Sequence, residues 1–323
     1  MVQLSVQIEM AGGLSWTRWK RLVREIDRMG YQGLYCCDHF LPPGQGYSDS
    51  VEIFSAFTYL ADHSQRLEFG SLVAPVSFRD PIMLARQAMA LDDLSGGRMV
   101  LGVGAGWMER EHSMFGYELG DKPTRMARLA EAMKVITLLT RQEEPVSFDG
   151  RFYHLRDAKL LPRSPRPNGP RLLIGGAGPK VTLPLTARYA DAWNTGGASP
   201  ATYRETSKHL DDLIVKAGRR EPRAVKRTLM QQIVCYRNEA ELGRQLQWLA
   251  SGAPELQGQP PAAFREFLRG RSPHAIVGSP AEVIEQIHAY RDAGVDEIMI
   301  QRLDLDDIEG LQIIAEEVLP HVK

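Results

Sequence analysis

The feature that most constrains this sequence is a repeated alternation of short β-rich runs with longer segments of helical periodicity. Strands in this order are typical of a parallel sheet covered by helices, because parallel neighbours need a long crossover connection. Eight runs predict strands at residues 4–10, 33–38, 67–76, 98–106, 171–178, 191–197, 227–236 and 296–301.

Eight strands in one chain favour a closed α/β barrel, the (β/α)8 or TIM barrel, over an open doubly wound sheet. A dinucleotide-binding sheet carries its glycine signature after the first strand, where this chain has Ala11-Gly12-Gly13-Leu14. The 323 residues suit one barrel with insertions. We therefore predict one domain over 1–323, with an insertion at about 143–170 that contains a hairpin and a helical excursion at about 239–272.

Composition excludes several classes of function. Lys and Arg total 39 against 40 for Asp and Glu, so the net charge of −1 predicts no surface for a nucleic acid or a membrane. No apolar stretch approaches the roughly 20 residues of a membrane span, and the first residues do not resemble a signal peptide, so we expect a cytoplasmic protein. The eight histidines and three cysteines lack ligand spacing, which predicts no metal site.

Functional side chains of a barrel lie just after its strands, at their carboxyl ends. Asp38 and His39 follow the second predicted strand, where a carboxylate beside an imidazole can orient a ring or move a proton near neutral pH. An ion pair that only caps the strand is the alternative. Ser71 interrupts the third predicted strand and would face the barrel mouth, although packing alone also explains a small residue there.

Glycine-rich runs end two further strands. After the fourth predicted strand, Gly102-Val103-Gly104-Ala105-Gly106-Trp107 would let a planar ring or a ribityl chain approach the backbone closely. After the fifth, Gly175-Gly176-Ala177-Gly178 leads into a helix predicted to begin at Pro179. Unpaired amides and the positive helix end favour a phosphate there. A tight strand-to-helix turn is the alternative for this run.

Together these residues resemble the bacterial luciferase-like flavin and deazaflavin oxidoreductases over almost the whole chain. The matching motifs are Asp38-His39-Phe40-Leu41, residues 91–98 leading into 101–107, Glu111 with Phe115-Gly116, the set Arg125, Arg128 and Glu131, Phe148-x-Gly150-x-x-Tyr153, and residues 173–178 and 187–194. Asp-His-Phe and Gly-Ala-Gly-Trp look most like the branch that uses coenzyme F420, a 5-deazaflavin, rather than FMN.

The resemblance implies a place for the cofactor. The ring would lie between Asp38-His39, the end of the third strand and Gly104-Ala105-Gly106, and a non-proline cis peptide would join Ser71-Leu72. The phosphate would lie at Gly175-Gly176-Ala177-Gly178, and Thr195 would border the same site.

The resemblance also implies hydride transfer between the deazaflavin and a small-molecule substrate. His39 would orient or protonate the reacting group, Asp38 would fix His39 or the ring, and Trp107 would wall the substrate pocket. Glu109, and after it Glu111, would be further acids. Sugar-phosphate dehydrogenases of the F420 branch carry a glutamate where this chain has Trp107. Sugar phosphates are therefore poor candidates, and the aromatic residues favour an apolar organic substrate.

Two alternatives stay open. FMN activates oxygen, whereas a deazaflavin does so poorly, so FMN would imply a two-component monooxygenase that depends on a separate flavin reductase. The other alternative is a non-catalytic flavin-binding homologue. A homodimer is the expected assembly, and a flavin or F420 reductase is the expected partner if one exists.

Overall fold

The computed structural model describes residues 1–42, 44, 46–219, 221–252, 256 and 258–322. Its strands are β1 (Gln3–Ile8), β2 (Gly33–Cys36), β3 (Glu68–Ser71), β4 (Ala74–Pro75), β5 (Met99–Gly104), β6 (Val146–Asp149), β7 (His154–Ala158), β8 (Arg171–Gly175), β9 (Ala192–Gly196), β10 (Lys226–Gln231), β11 (Ile233–Cys235), β12 (Ile276–Gly278) and β13 (Glu297–Arg302).

The helices are α1 (Trp16–Arg28), α2 (Ile53–His63), α3 (Pro81–Leu94), α4 (Glu109–Phe115), α5 (Lys122–Arg141), α6 (Thr182–Tyr189), α7 (Pro200–Lys216), α8 (Glu239–Gly252), α9 (Pro261–Arg271), α10 (Pro280–Asp292), α11 (Ile308–Ile313) and α12 (Leu319–Val322). A π-helical turn, Ile314–Val318, joins α11 to α12.

Eight strands close into a parallel barrel in chain order: β1, β2, β3, β5, β8, β9, β10 and β13. The barrel closes where β13 pairs with β1, from Gln3 opposite Glu297 to Ile8 opposite Arg302. The predicted (β/α)8 barrel is confirmed. Since every strand runs in the same direction, all eight carboxyl ends lie on one rim.

Two of the predicted strands are divided in the structure. The third, predicted over 67–76, consists of β3 and β4, which both pair with β5. The seventh, predicted over 227–236, leaves the barrel after β10 and continues as β11, which pairs with β12. The strand β12 was not predicted because it has only three residues. The helix α4 was also missed and replaces a predicted polar loop.

Hydrophobic packing has two layers, because alternate side chains of a strand point to opposite faces. The main cluster lies between the barrel and its helices and includes Leu4, Val6 and Ile8 of β1. A smaller cluster fills the barrel interior and contains Tyr35, Leu72, Val100, Leu173, Ala192 and Met299. The barrel is therefore a packed core whose functional surface is confined to its ends.

The insertion and the helical excursion lie outside this barrel. Within the insertion, β6 and β7 form the predicted antiparallel hairpin. The excursion contains α8 and α9, and its side chains form a separate small cluster of Tyr236, Leu242, Leu256, Leu268 and Val277.

Charged side chains close the amino end of the barrel. The Nζ atom of Lys226 lies 2.7 Å from the fully buried Glu297, which also accepts a hydrogen bond from Ser5. Burial raises the pKa of the Glu297 carboxyl, and Lys226 counteracts part of that rise. Arg171 pairs with Glu68 beside them. These four charged groups line a cavity of about 540 Å³, and they neutralise one another.

We predict that Lys226→Met lowers the free energy of unfolding by about 3 kcal/mol, because it leaves a buried carboxylate without its cation. Adding Glu297→Gln to this variant should recover part of the loss. Urea denaturation monitored by circular dichroism measures both, with exposed Lys208→Met as the control. Equal stability of Lys226→Met and the control would contradict the assigned pairing.

Candidate active site at the carboxyl end of the barrel

Asp38, directly after β2, pairs with an arginine. The Nε and Nη2 atoms of Arg79 each lie 2.8 Å from one carboxylate oxygen of Asp38, which is buried. Arg79 also lies 3.0 Å from Glu52. Burial raises the pKa of the Asp38 carboxyl, and the contact with Arg79 counteracts part of that rise. The resemblance implied that Asp38 fixes His39 or the ring. Its side chain bonds Arg79 in the segment that precedes α3, and its contact with the ring stays a prediction.

His39 takes its carboxylate partner from α4 instead. Its Nδ1 atom lies 3.0 and 3.1 Å from the two oxygens of Glu111, so Nδ1 donates to this carboxylate. Glu111 is 1% exposed and also accepts from the backbone amide of Phe40 at 3.1 Å. The ring of Trp107 packs edge-on against His39, with centroids 5.6 Å apart. The Nε2 atom of His39 makes no hydrogen bond with any residue that the structure describes.

The surroundings raise the pKa of His39. Burial of the ring lowers the pKa, but the hydrogen bond and charge of Glu111, followed by the charges of Glu9 and Asp38, outweigh burial and raise it. His39 is therefore an imidazole whose protonated form is stabilised on one side by a buried carboxylate. Its other nitrogen remains available to a ligand.

Glu9 is a second carboxylate at the same rim. It accepts hydrogen bonds from the side-chain amides of Gln301 (2.9 Å) and Gln7 (3.2 Å) and from the thiol of Cys37 (3.0 Å). The sequence analysis missed Glu9 because the first strand was predicted to run to residue 10, whereas β1 ends at Ile8. Its position directly after the strand would have identified it.

The end of the third strand differs from the prediction. The cis peptide joins Leu72 to Val73, so the predicted Ser71-Leu72 position is wrong by one residue. The β ladder explains the difference, since the amide of Leu72 still donates to Cys36 of β2. The hydroxyl of Ser71 is buried and donates to the carbonyl of Gly102 at 2.7 Å. The part of this segment that can contact a ligand at the barrel mouth therefore begins at Leu72.

Other residues of the chain fill the space beside the glycines at the end of β5. A Cβ on Gly104 would lie 2.5 Å from Val73, and a Cβ on Gly106 would lie 2.2 Å from the Ser77 hydroxyl. Gly106 also has a φ of +78°, which side chains other than glycine rarely adopt. The close approach of Val73 and Ser77 is therefore sufficient to explain why glycine is found at these two positions, and no ligand is needed to explain it. Ala105 and Gly106 keep part of their surface exposed at the mouth.

The run after β8 is exposed, but it does not enter a helix at Pro179. The helix α6 begins at Thr182, because Val181 still has non-helical backbone angles and residues 179–181 form a turn. Gly176, Ala177 and Gly178 are exposed, and a φ of +113° at Gly176 turns the backbone outwards. Thr195, on the neighbouring β9, is partly buried.

Two of the cavities at this rim lie beside His39 and Trp107. One, of about 390 Å³, is lined by Asp38, His39, Phe40, residues 48–53 and Arg79. The other, of about 460 Å³, is lined by Trp107, Glu109, His112, Ser113, Tyr117, Leu119, Gly120 and Arg125. Trp107 is 62% exposed, and Glu109 is also exposed.

An aromatic cluster stands between the two cavities. The ring of Phe40 stacks on Phe115 and Tyr117, with centroids 4.5 and 5.8 Å apart. Phe78 packs against both Phe40 and Tyr117. Phe40 and Phe115 were named only as parts of separate motifs, because residues so far apart in the chain cannot be paired from the sequence alone. These rings give the rim a largely apolar wall beside the charged pairs.

Within the described residues, no group of three or more His, Cys, Asp or Glu side chains is placed to hold a metal ion. No described helix is long and apolar enough to cross a membrane. Charged pairs, the imidazoles of His39 and His112, and aromatic rings line the two cavities.

Comparison with known proteins identifies the family of this chain. The profile of the luciferase-like monooxygenases matches residues 3–297. The chain is 30% identical over 319 residues to a 4-hydroxyprotoasukamycin monooxygenase of Streptomyces nodosus subsp. asukaensis, covering 93% of this chain and 84% of the relative. It is 29% identical over 311 residues to an F420-dependent glucose-6-phosphate dehydrogenase of Microbacterium testaceum, covering 92% of this chain and 90% of the relative.

Solved structures show the same fold. An F420-dependent secondary alcohol dehydrogenase in complex with an F420-acetone adduct matches with a TM-score of 0.81 at 20% identity, over 100% of this chain and 99% of that one. A monooxygenase from Streptomyces bottropensis matches with a TM-score of 0.81 at 19% identity over the full length of both chains. The family profile spans nearly the whole barrel, and the sequence relatives are oxidoreductases. This chain is therefore an oxidoreductase of the luciferase-like monooxygenase family.

Proposed function

We propose that this protein is a coenzyme F420-dependent oxidoreductase that transfers hydride between the deazaflavin and a small, apolar organic substrate. The observation that carries the proposal is His39, which is held by a buried carboxylate on one side and whose Nε2 has no hydrogen-bond partner among the described residues on the other. Relatives with F420-dependent activities support the choice of cofactor.

Hydride transfer to or from oxygen-bearing carbon needs a proton donor or acceptor at the oxygen. When an alcohol is oxidised, its carbon loses hydride to the cofactor and its hydroxyl loses a proton, which Nε2 of His39 would accept. In reduction, the protonated ring would return that proton to the oxygen. Glu111 stabilises the charged imidazole in both directions and fixes the ring through Nδ1. This pairing is the arrangement expected of a general acid–base group.

The exposed backbone of the rim fits a large, anionic cofactor. Gly176, Ala177 and Gly178 form an exposed turn before α6 that would bind the phosphate. Arg125 donates from Nη1 to the carbonyl of Gly106 at 3.0 Å, and its buried Nε has no partner among the described residues. An oxygen of a ligand would satisfy this donor.

The ring of the cofactor would lie against the neighbouring strand ends. We assign its contacts to Asp38 and His39, to Leu72, to the partly exposed Ala105 and Gly106, and to Thr195. When bound, the deazaflavin supplies or accepts the hydride. The chain supplies the proton, excludes water with its aromatic wall and orients both reactants.

The reacting group of the substrate would lie at Nε2 of His39, and the rest of the substrate would extend along Trp107, whose ring packs edge-on against His39. Trp107, Tyr117 and Leu119 give the adjoining cavity an apolar side that would cover an apolar part of the substrate. Glu109 borders the same cavity and would contact a polar group of the substrate. We further propose that the protein forms a homodimer and is located in the cytoplasm.

FMN-dependent monooxygenation is the second candidate, and a specific observation favours it: the 4-hydroxyprotoasukamycin monooxygenase shares 30% identity over 93% of this chain. In that case the protein would depend on a separate flavin reductase. His39 would keep its role in moving protons, whereas oxygen activation would come from the flavin.

We expect His39→Ala to reduce the rate of hydride transfer by about 100- to 10,000-fold, the range for loss of a general acid–base group. Cofactor affinity should fall much less, because the turn at 176–178 is unchanged. Single-turnover kinetics with F420 measure the rate, and fluorescence titration measures the affinity. The control is His154→Ala, an exposed histidine on the hairpin. Near wild-type rates in His39→Ala would end the catalytic assignment.

Glu111→Gln should move the pH dependence of hydride transfer to lower pH. Glu111 raises the pKa of His39, so removing its charge while keeping an acceptor lowers that pKa. The limb of the profile that reports His39 should shift in the same direction for oxidation and for reduction. Stopped-flow measurements between about pH 5 and 9 test this. A shift to higher pH, or none, would contradict the pairing.

A further inference from the structure

The helix α4 contributes a second buried contact that the proposed mechanism does not use. The Nε2 atom of His112 lies 2.7 Å from the hydroxyl of Ser77, and its Nδ1 atom lies 2.8 Å from the carbonyl of Met108. His112 is 1% exposed and Ser77 is 8% exposed. The two residues come from different loops at the rim, 35 positions apart in the chain.

The hydrogen bonds of this pair fix its proton positions. A carbonyl can only accept, so Nδ1 of His112 carries the proton that is donated to Met108. In the neutral ring Nε2 then accepts, and the Ser77 hydroxyl donates to it. Each polar atom of the imidazole is thereby satisfied inside the protein, and Ser77 is held in one orientation.

Ser77 lies directly against the glycine segment after β5. A Cβ on Gly106 would lie 2.2 Å from the Ser77 hydroxyl and 3.5 Å from Nε2 of His112. The strand ladder beside this point ends with the bond from the Val76 amide to the Gly104 carbonyl. Beyond it, the Ser77–His112 hydrogen bond and the packing of Phe78 on His112 hold the segment after β4 against α4. Gly106 is held on its other side by Arg125.

The same short helix therefore serves two parts of the site. Through Glu111, α4 holds His39 and the amide of Phe40 at the end of β2. Through His112, it holds Ser77, which packs on Gly106 at the end of β5. The acid–base group and the glycine segment are thus positioned by adjacent residues of one element.

We propose that Ser77 and His112 are positioning residues, whose hydrogen bond sets the conformation of Gly104-Ala105-Gly106 and so the affinity of the site for the cofactor ring. The identity of the ligand in this proposal rests on the proposed function. The claim that Ser77 and His112 order the glycine segment does not depend on that function.

Three variants separate the hydrogen bond from packing. Ser77→Ala removes the donor. His112→Asn keeps a donor near Met108 but cannot reach Ser77, whereas His112→Gln places an acceptor near the position of Nε2. We expect Ser77→Ala and His112→Asn each to weaken F420 binding about 5- to 10-fold, the effect of losing one buried hydrogen bond. His112→Gln should stay within about 2-fold, and the double variant Ser77→Ala/His112→Asn should be no weaker than either single variant.

Hydrogen exchange on the cofactor-free protein gives a second readout. The amides of Val76 and Arg79, which donate to the carbonyls of Gly104 and Pro75 next to the pair, should lose protection in Ser77→Ala and His112→Asn and regain it in His112→Gln, with His154→Asn as the control. Lowered melting temperatures with unchanged exchange at these amides and unchanged F420 affinity would overturn the proposal. If the wild type binds no F420, the proposed cofactor fails, and the exchange pattern alone decides whether the pair orders this segment.

Discussion

Closure of the sheet through β1 and β13 is the constraint on which the site depends. That pairing joins residues almost 300 positions apart, in a register from Gln3 and Glu297 to Ile8 and Arg302. Because the strands are parallel, closure brings every carboxyl end to one rim and every amino end to the other. His39, Gly106 and Gly176, which follow β2, β5 and β8, therefore lie on the same rim. The charges at the amino end pair with one another, so functional surface is concentrated at the opposite end.

The rim itself contains several buried charges, and burying a charge is costly unless it is paired. Glu111 is compensated by His39 and by the amide of Phe40, and Asp38 is compensated by Arg79. A barrel needs none of these groups for its hydrophobic core. Buried, paired charges beside cavities are characteristic of functional sites. The seven residues of α4 connect this chemistry to the glycine segment.

The strand order and the residues after each strand could be predicted, because both follow from local periodicity and from the polarity of the barrel. The partner of His39 could not, since Glu111 lies 72 positions away and only the packing of α4 brings it near. The surroundings of the glycines could not be predicted from the sequence either. Gly104 suggested room for a ring, yet the side chain of Val73 occupies that space. The start of α6 was predicted from Pro179, whereas Val181 has non-helical backbone angles and the helix begins at Thr182.

The measurement that tests the central claim most directly is parallel equilibrium titration of the purified protein with F420 and with FMN, followed by fluorescence. The account predicts saturable binding of F420 that is tighter than that of FMN, and loss of this binding in Gly176→Val, whose side chain would block the exposed turn without reaching the core. Tight binding of FMN with no binding of F420, or F420 affinity unchanged in Gly176→Val, would contradict it.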